Sequence, residues 1–599
     1  AYVQCEGRHN MRKEKSITRV LSMKHIALVT LALLCGFAAA IVDAIRIHGH
    51  IVFSFRCMWF TGAIALLFLA FVFIGERFLA WCSKDGDRTA ERMASVRDCF
   101  SFSWGHKQFF LTTAVIVLCW IPYIWLTYPG ILWFDTGEQL MQWFHQSNIF
   151  SDGSFWSNHH PVFDTLFFGA FAQLGKVLGS VDLGLFLCSI VLALAAALSL
   201  ATVILYCRHI GASWRCCFAQ LMFFSFFPVI PCFSISLVKD TVFMPLFVWY
   251  TVLYVQIVRS KGACLKSPWL FALFLSLSVL AALTKKTGLY IVLICCIALL
   301  FVVFRQYRLR IVAVLLTELL VMGVLVPKVV FPMFHIQEGG KQEMLAVPFQ
   351  QSALEVKRHE CEMNPEDVDV IHKILGNDVA DKYQWWAADG VKGYTWDSRK
   401  NQYLAQYAKA WFRGLLEHPF TYVEAYVALQ EGWLGVPTLG SAQNPEDLSL
   451  PVFLTGSNHT SVAYSKEMGL IERGNINRVT IVQNKINKLE HLPVLNLLFS
   501  RATWSTWMFL FVIYEWFRRF RGKNWICMMP YIATFLFLWI SPATVTVEGI
   551  RYVLPMIIMT PLMFGMLSIK KDIFRSSHSV MDNYTSESSG TTAKRIPDE

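Results

Sequence analysis

About a dozen apolar runs, each close to the length that crosses a bilayer, recur along this chain and decide what it can fold into. Crossing the hydrocarbon core takes roughly 20 apolar residues as a helix. In lipid every backbone polar group must be satisfied internally, which leaves helices or closed barrels as spanning structures. The runs read as spans over 26–45, 51–74, 109–127, 183–206, 216–233, 241–258, 268–283, 288–304, 311–331, 503–516, 525–540 and 552–569. Charged residues make up only 16% of the chain and hydrophobic ones 55%, where a soluble domain carries about 25% charged. The expected fold class is an all-α polytopic membrane protein with twelve transmembrane helices.

Charge sets the orientation. Arg12, Lys13, Lys15, Arg19 and Lys24 precede the first run, which therefore reads as a retained span with a cytoplasmic N-terminus. Further basic segments at 77–107, 208–215, 259–266, 305–310 and 518–523 fall between later spans. They all reach the cytoplasmic side only if 162–178, which holds Asp164, Gln173 and Lys176, lies in the outer interface rather than crossing. Both termini are then cytoplasmic in a multi-pass plasma-membrane protein. The net charge of +11 is an orientation signal, and nucleic acid is not an expected partner. Of the 16 cysteines, most lie in apolar runs, and Cys361 stands alone in the long polar segment, so no disulfide framework is expected there.

The domains follow: 1–25 a cytoplasmic N-terminus, 26–108 two additional spans and a cytoplasmic loop, 109–331 a membrane core with an outer loop at 128–161 and the interfacial helix 162–178, 332–501 an extracytoplasmic α-rich domain, 502–569 the last three spans, and 570–599 a Ser/Thr-rich cytoplasmic tail.

Chemistry-bearing residues gather on the outer face. Asp135-Thr136-Gly137-Glu138 opens a helix-like run at the membrane mouth. The spacing fits a capping box, with Asp135 capping and Glu138 reaching back. It also fits a general base or metal ligand at a site open to the outside. His159-His160-Pro161 closes the same loop, with Pro161 suited to a helix start. His159 and Asp164 carry the His-x4-Asp spacing of glycerolipid acyltransferases. Lys239-Asp240 and Thr284-Lys285-Lys286-Thr287-Gly288 form two short outer turns, and Glu548 and Arg551 a third. Taken singly these are helix-end charges facing water. Together they suit a phosphate headgroup near the membrane surface. Gln350-Gln351 and the tryptophans 385, 386, 396, 411 and 433 lie in the outer domain, where aromatics serve either as core or as sugar-stacking faces.

The order of an acid closing a span, a loop helix, His-Pro, an interfacial helix and an Asp at the next outer turn resembles the GT-C fold membrane glycosyltransferases, which use polyprenyl-phosphate-linked sugars. The likeness runs from about Phe109 to the end. In the protein O-mannosyltransferase and aminoarabinose transferase branches a first-loop acid is followed by His-Pro, matched here by Asp135 and His160-Pro161. An Asp at the second outer turn is matched by Asp240, and a Thr-Lys-x-Thr-Gly-like turn by Thr284 to Gly288. Tyr-Pro-Gly, His-His-Pro, Lys-Asp and Arg-Tyr-x-x-Pro (Arg551 to Pro555) also resemble a family of uncharacterised multi-pass proteins from Gram-positive bacteria. The mannosyltransferases have Asp-Glu adjacent in the first loop, whereas Glu138 follows Asp135 by a helical turn. No added carbohydrate-binding module is evident, so a protein acceptor is not supported.

The resemblance implies a metal-optional glycosyltransferase at the outer face of the plasma membrane. Its partners would be a polyprenyl-phosphate-linked sugar, a cell-envelope glycan or lipid acceptor, and the bilayer. Asp135, Glu138 and Asp240 would be the catalytic acids, with Asp135 the ligand of a divalent cation (Mg or Mn) if one is used. Lys239, Lys285, Lys286 and Arg551 would hold the donor phosphate, and His159, His160, Gln350, Gln351 and Glu548 would position substrates. A transporter or lipid flippase competes, and would place charge in mid-span; Asp43 and Arg56 are the few candidates, and they lie near span ends or in the first two spans. A membrane acyltransferase using His159 and Asp164 is the other alternative.

Overall fold

Serine oxygens start several of the helices. In the computed structural model, Ser54, Ser180 and Ser213 accept from the backbone N–H of Cys57, Leu183 and Cys216, each three residues on, satisfying a donor that the first helical turn leaves orphaned. The structure describes residues 2–84, 107–436, 495–520, 522–542 and 549–569 and a few positions between 484 and 492, with side chains from residue 25. Up to residue 320 the main helices are α1 (Tyr2–His48), α2 (Phe55–Cys82), α3 (Lys107–Leu126), α4 (Phe134–Trp143), α5 (Val162–Val177), α6 (Val181–His209), α7 (Trp214–Phe226), α8 (Val229–Ser234), α9 (Lys239–Arg259), α10 (Pro268–Thr284), α11 (Lys286–Leu300) and α12 (Arg305–Leu320).

Among the described residues, eight helices are long and apolar enough to cross a membrane: His25–His48, α2, α3, α6, α9, Arg305–Met333, Gly522–Ile540 and Ile550–Leu567. The chain is an all-α polytopic membrane protein. Two of the expected runs are irregular. The run at 216–233 breaks between α7 and α8 at Pro228. The run at 311–331 widens into a π-helix, Val321–Val330, around Pro327; proline has no N–H to donate and its ring crowds the preceding turn, which a wider helix relieves. The central helices α9 and Ile550–Leu567 are buried along most of their length.

Small residues allow close approach where the outer loop meets the core. A Cβ on Gly175 of α5 would lie 2.7 Å from the Gly184 Cα of α6, so the two backbones pack as small-residue interfaces in membranes do. Gly169 lies so close to the Trp143 indole that a Cβ there would overlap it. That contact seats α4 on α5, whose Gln173 and Lys176 are exposed.

The described part of 332–501, expected from the sequence on the outer face and called the outer segment below, has its own core. Helices Ala346–His359, Pro365–Leu375, Leu404–Glu417 and Pro419–Leu429 enclose Phe349, Ala353, Ile371, Tyr407 and Ala425. An ion pair and a backbone contact fasten it to the first helices: Arg46 of α1 binds Glu431, and Glu424, paired with Arg358 at 2.5 Å, accepts from the Ile51 N–H.

Two very short parallel strand pairs decide where the outer loops lie. β1 (Ile131–Leu132) pairs with β3 (Ser236–Leu237), and β2 (Trp156–Ser157) with β4 (Ile336–Gln337). The first brings the start of α4 beside the start of α9. The second ties the loop before His159 to the entry of the outer domain.

Candidate functional site

The β1–β3 pairing sets Ile131 against Ser236, and each chain turns into its helix a few residues later, so Asp135 and Lys239 meet. The Thr136 hydroxyl donates to the Leu237 carbonyl at 2.6 Å and holds the crossing. Lys239 Nζ lies 2.8 Å from Asp135 Oδ2, and Arg551 Nη1 reaches the same oxygen at 3.0 Å. His160 Nδ1 stands 3.7 Å from that oxygen and 3.2 Å from Lys239 Nζ. Three residues distant in sequence thus gather on one Asp135 oxygen, and all four side chains are at most 18% exposed.

The N-cap of α4 is Trp133, with no side-chain cap, so the expected capping box does not form. Asp135 sits inside the first turn, where the helix dipole favours its charge, and the two cations use its Oδ2. Burial pushes its carboxyl up, but Arg551, Lys239 and His160 outweigh that and hold it well below the usual carboxylate range. Burial, then the Lys239 and Lys286 charges, lower His159 to about 3, and burial with Lys239 lowers His160 well below its ordinary value. Both imidazoles are neutral at pH 7.

α4 also fixes the histidine loop. Gln139 Nε2 donates to the Pro161 carbonyl (3.3 Å) and Thr165 Oγ1 (3.1 Å). Gln142 binds both backbone groups of Ser157, at 3.2 and 2.9 Å. His159 stacks on Phe150 at 3.9 Å, with His160 edge-on to both rings.

Above Asp135 opens a cavity of about 490 Å³ lined by Phe134, Asp135, Phe150, His159, His160, Pro161, Lys239, Lys285, Lys286, Thr287, Arg551 and Tyr552 from the membrane side, and by Glu343, Asp389, Lys392 and Tyr394 from the outer segment. This size is typical of small-ligand sites, roughly 300–1,000 Å³. Seven of the expected site residues line it together: Asp135, His159, His160, Lys239, Lys285, Lys286 and Arg551.

The others are placed differently. Glu138 is enclosed beneath α4 and accepts from Ile149 N–H at 2.9 Å, so it shapes the loop and is not a catalytic acid at the cavity. Its carboxyl is raised, chiefly by burial. Asp240 is buried beside the cavity and pairs with Lys285 at 2.5 Å, acting on it through that lysine. Gln350 and Gln351 point into the outer domain's interior, not the cavity. Gln350 binds the Gln384 carbonyl, while Gln351 binds the Tyr422 carbonyl (3.1 Å) and the Trp411 indole N–H (2.9 Å). Their amides satisfy buried backbone, so the substrate-positioning reading is corrected. Trp433 is core at 1% exposure, and none of the five tryptophans lines the cavity. Glu548 lies outside the described residues. Asp164 is fully buried with neither oxygen hydrogen-bonded, so it is not the acid partner of His159.

Sequence reading missed Tyr552, Lys392, Glu343, Asp389, Gln139 and Gln142. Tyr552 was findable as the neighbour of Arg551: its hydroxyl accepts from Arg551 at 3.1 Å, and Lys285 and Arg551 flank its ring at 5.6 and 5.0 Å. Gln139 and Gln142 carry an i, i+3 signal on the face of α4 turned to the histidine loop. Nothing in the sequence ties the outer-segment trio to Asp135.

A divalent cation does not fit at Asp135. Its nearest neighbours are an ammonium, a guanidinium and an imidazole, and the cavity's other carboxylates, Glu343 and Asp389, both pair with Lys392. Such ions take clustered oxygen ligands.

A model of DUF6020, a family of unknown function, matches residues 10–580. The chain belongs to the DUF6020 family. No curated protein and no solved structure matches it. The DUF6020 match takes in every residue lining the cavity.

Proposed function

We propose that this DUF6020 protein is a GT-C-type glycosyltransferase of the plasma membrane, moving a sugar from a polyprenyl phosphate to a cell-envelope glycan or lipid on the outer face. Its fold is GT-C-like with twelve spans, the four beyond the long helices being the broken α7–α8 pair, α10, α11 and the helix that begins with the π-turn Thr503–Trp507. Both termini are cytoplasmic.

The observation that carries the reading is the meeting of Asp135, Lys239, Arg551, His160 and Lys286 in one cavity where the outer ends of α9, α11 and Ile550–Leu567 face the outer segment. Lys286 donates to the His159 carbonyl at 3.2 Å and has no carboxylate partner among the described residues. A phosphate entering from the membrane side meets three cations there, and positions charge as donor sites for phosphate do. The acceptor hydroxyl attacks the anomeric carbon, and the carbon–oxygen bond to phosphate breaks with its electron pair left on the phosphate. The hydroxyl proton passes to Asp135. Free Asp135, held by two cations, is ionised but weakly basic. A bound phosphate draws Lys239 and Arg551 toward itself and raises the basicity of the carboxylate as substrate arrives. The donor then activates its own base.

Purified protein assayed with a polyprenyl-phosphate-linked hexose tests this. General-base help is worth roughly 10²–10⁴-fold, so Asp135→Asn should lose transfer by that factor, and retained transfer refutes the reading. The competing transporter reading has one observation of its own. Glu318 of α12 is fully buried midway along Arg305–Met333 with neither carboxylate oxygen hydrogen-bonded, and mid-membrane acids mark ion paths. Asp43 and Arg56, in contrast, pair with each other at 2.8 Å. Glu318→Gln should leave sugar transfer intact; if it abolished lipid or proton movement instead, transport would be the function.

A further inference from the structure

The two walls of the cavity carry different chemistry. On the membrane side, Lys239, Lys285, Lys286 and Arg551 face Asp135 and the Asp240 behind Lys285, leaving cations in excess. On the outer side Lys392 is enclosed, its side chain 5% exposed, and clasped by two carboxylates. Its Nζ lies 2.6 Å from Glu343 and 3.1 Å from Asp389. The carboxylates are the more open partners: Glu343 is 40% exposed and Asp389 21%. What this wall offers a ligand is therefore carboxylate oxygen, which only accepts hydrogen bonds. Beside it stands the half-exposed ring of Tyr394, whose carbonyl is fixed by the buried Gln342 amide at 3.0 Å. Acceptor oxygens next to an aromatic face suit a group rich in hydroxyls with an apolar side.

We infer that the outer wall seats the sugar end of the donor and selects sugars without negative charge, neutral or amine-bearing, refusing uronic acids. The inference rests on the glycosyltransferase reading and names its donor class. A neutral or aminated sugar donates to Glu343 and Asp389 while its phosphate lies on the cationic wall. A sugar carboxylate has no proton to donate at pH 7, and it would face two like charges with Lys392 already taken. Specificity of this kind comes from repulsion of the wrong ligand as much as from attraction of the right one.

The test is equilibrium binding to full-length protein in lipid nanodiscs, with three probes: polyprenyl phosphate alone, polyprenyl-phosphate-hexose and polyprenyl-phosphate-hexuronate. The hexose probe should bind at least about tenfold tighter than the hexuronate probe. Glu343→Gln should close most of that gap, and Glu343→Lys should reverse it, each read as the ratio of the hexose to the hexuronate probe within the same variant. Asp389→Asn, which keeps the Lys392–Glu343 pair, gives an independent variant should Glu343→Lys misfold. Equal binding of both sugar probes, or a gap that persists in Glu343→Gln and Asp389→Asn, overturns the inference while polyprenyl phosphate binding upholds the underlying reading. Failure of polyprenyl phosphate itself to bind sinks both.

Discussion

Replacing Asp135 by Asn keeps the shape of the side chain and removes only its charge, which isolates what the carboxylate does for the folded state. Lys239 and Arg551 lie 2.8 and 3.0 Å from one oxygen, with side chains 18% and 5% exposed. At an effective dielectric near 20, each attraction is worth about 6 kcal/mol, set against a desolvation cost of several kcal/mol per ion. Stranding the two cations should therefore destabilise the protein by about 3–5 kcal/mol. Adding Lys239→Gln removes one stranded charge, so the double variant should be more stable than the sum of the single changes predicts, by roughly 1–3 kcal/mol of coupling. Unfolding of purified protein in mixed micelles by titrated detergent measures all four corners of the cycle. Transfer should stay lost in the double variant while stability returns. Additivity within about 0.5 kcal/mol would refute the shared-oxygen cluster.

Three further outcomes follow from other parts of the molecule. His159 falls from its ordinary 6.5 to about 3 on folding, so its contribution to stability is complete above pH 6.5 and drains as pH falls toward 3; between pH 6.5 and 5 its share of the loss should be about 2 kcal/mol, and because His160 is lowered as well, His159→Phe should reduce the slope there without abolishing it, an unchanged profile counting against the burial. Gln351→Ala strands the Trp411 indole N–H and the Tyr422 carbonyl, so it should cost about 1–3 kcal/mol with the KM for donor unchanged, and a raised KM at intact stability would restore the substrate-positioning role. Asp152 is exposed in the first outer loop, so Asp152→Cys in a Cys361→Ser background should react with an impermeant thiol reagent added outside whole cells, and protection there reverses the orientation of the whole site.

Much of the scaffold was legible because membrane insertion imposes a coarse rule on composition. Apolar length gives helices without knowledge of packing, and the break at Asp164, Gln173 and Lys176 separates α5 from the long apolar helices. The site was legible to the extent that its residues sit at helix mouths. Asp135, Lys239, Lys286 and Arg551 each stand where an apolar run meets water, and charge there needs a reason. What the sequence withheld is long-range. β1–β3 and β2–β4 are two-residue pairings, too short to leave a periodicity, yet they decide which loops touch. The same is true of Glu343, Asp389 and Lys392, which gain meaning only from the fold of the outer segment over the cavity. Glu138 misled for a simpler reason: an acid three residues after Asp135 matches a capping box in spacing alone, and the N-cap position is Trp133, which makes no side-chain cap.

The doubly paired Asp135 also bears on why such a cluster exists. A buried ion pair is weak evidence for stability, because well-packed apolar residues of the same volume often do as well or better. A chain selected for folding alone has no need to place an ammonium, a guanidinium and an imidazole around one carboxylate at a membrane mouth. The arrangement is economical only if one of the partners is to be exchanged. An incoming phosphate is the group that competes for Lys239 and Arg551 on equal terms, with charge-assisted hydrogen bonds of the same kind. On that view the ion pairs are the resting state of the site, holding two cations in place and one base in reserve until a lipid-borne anion takes the cations away.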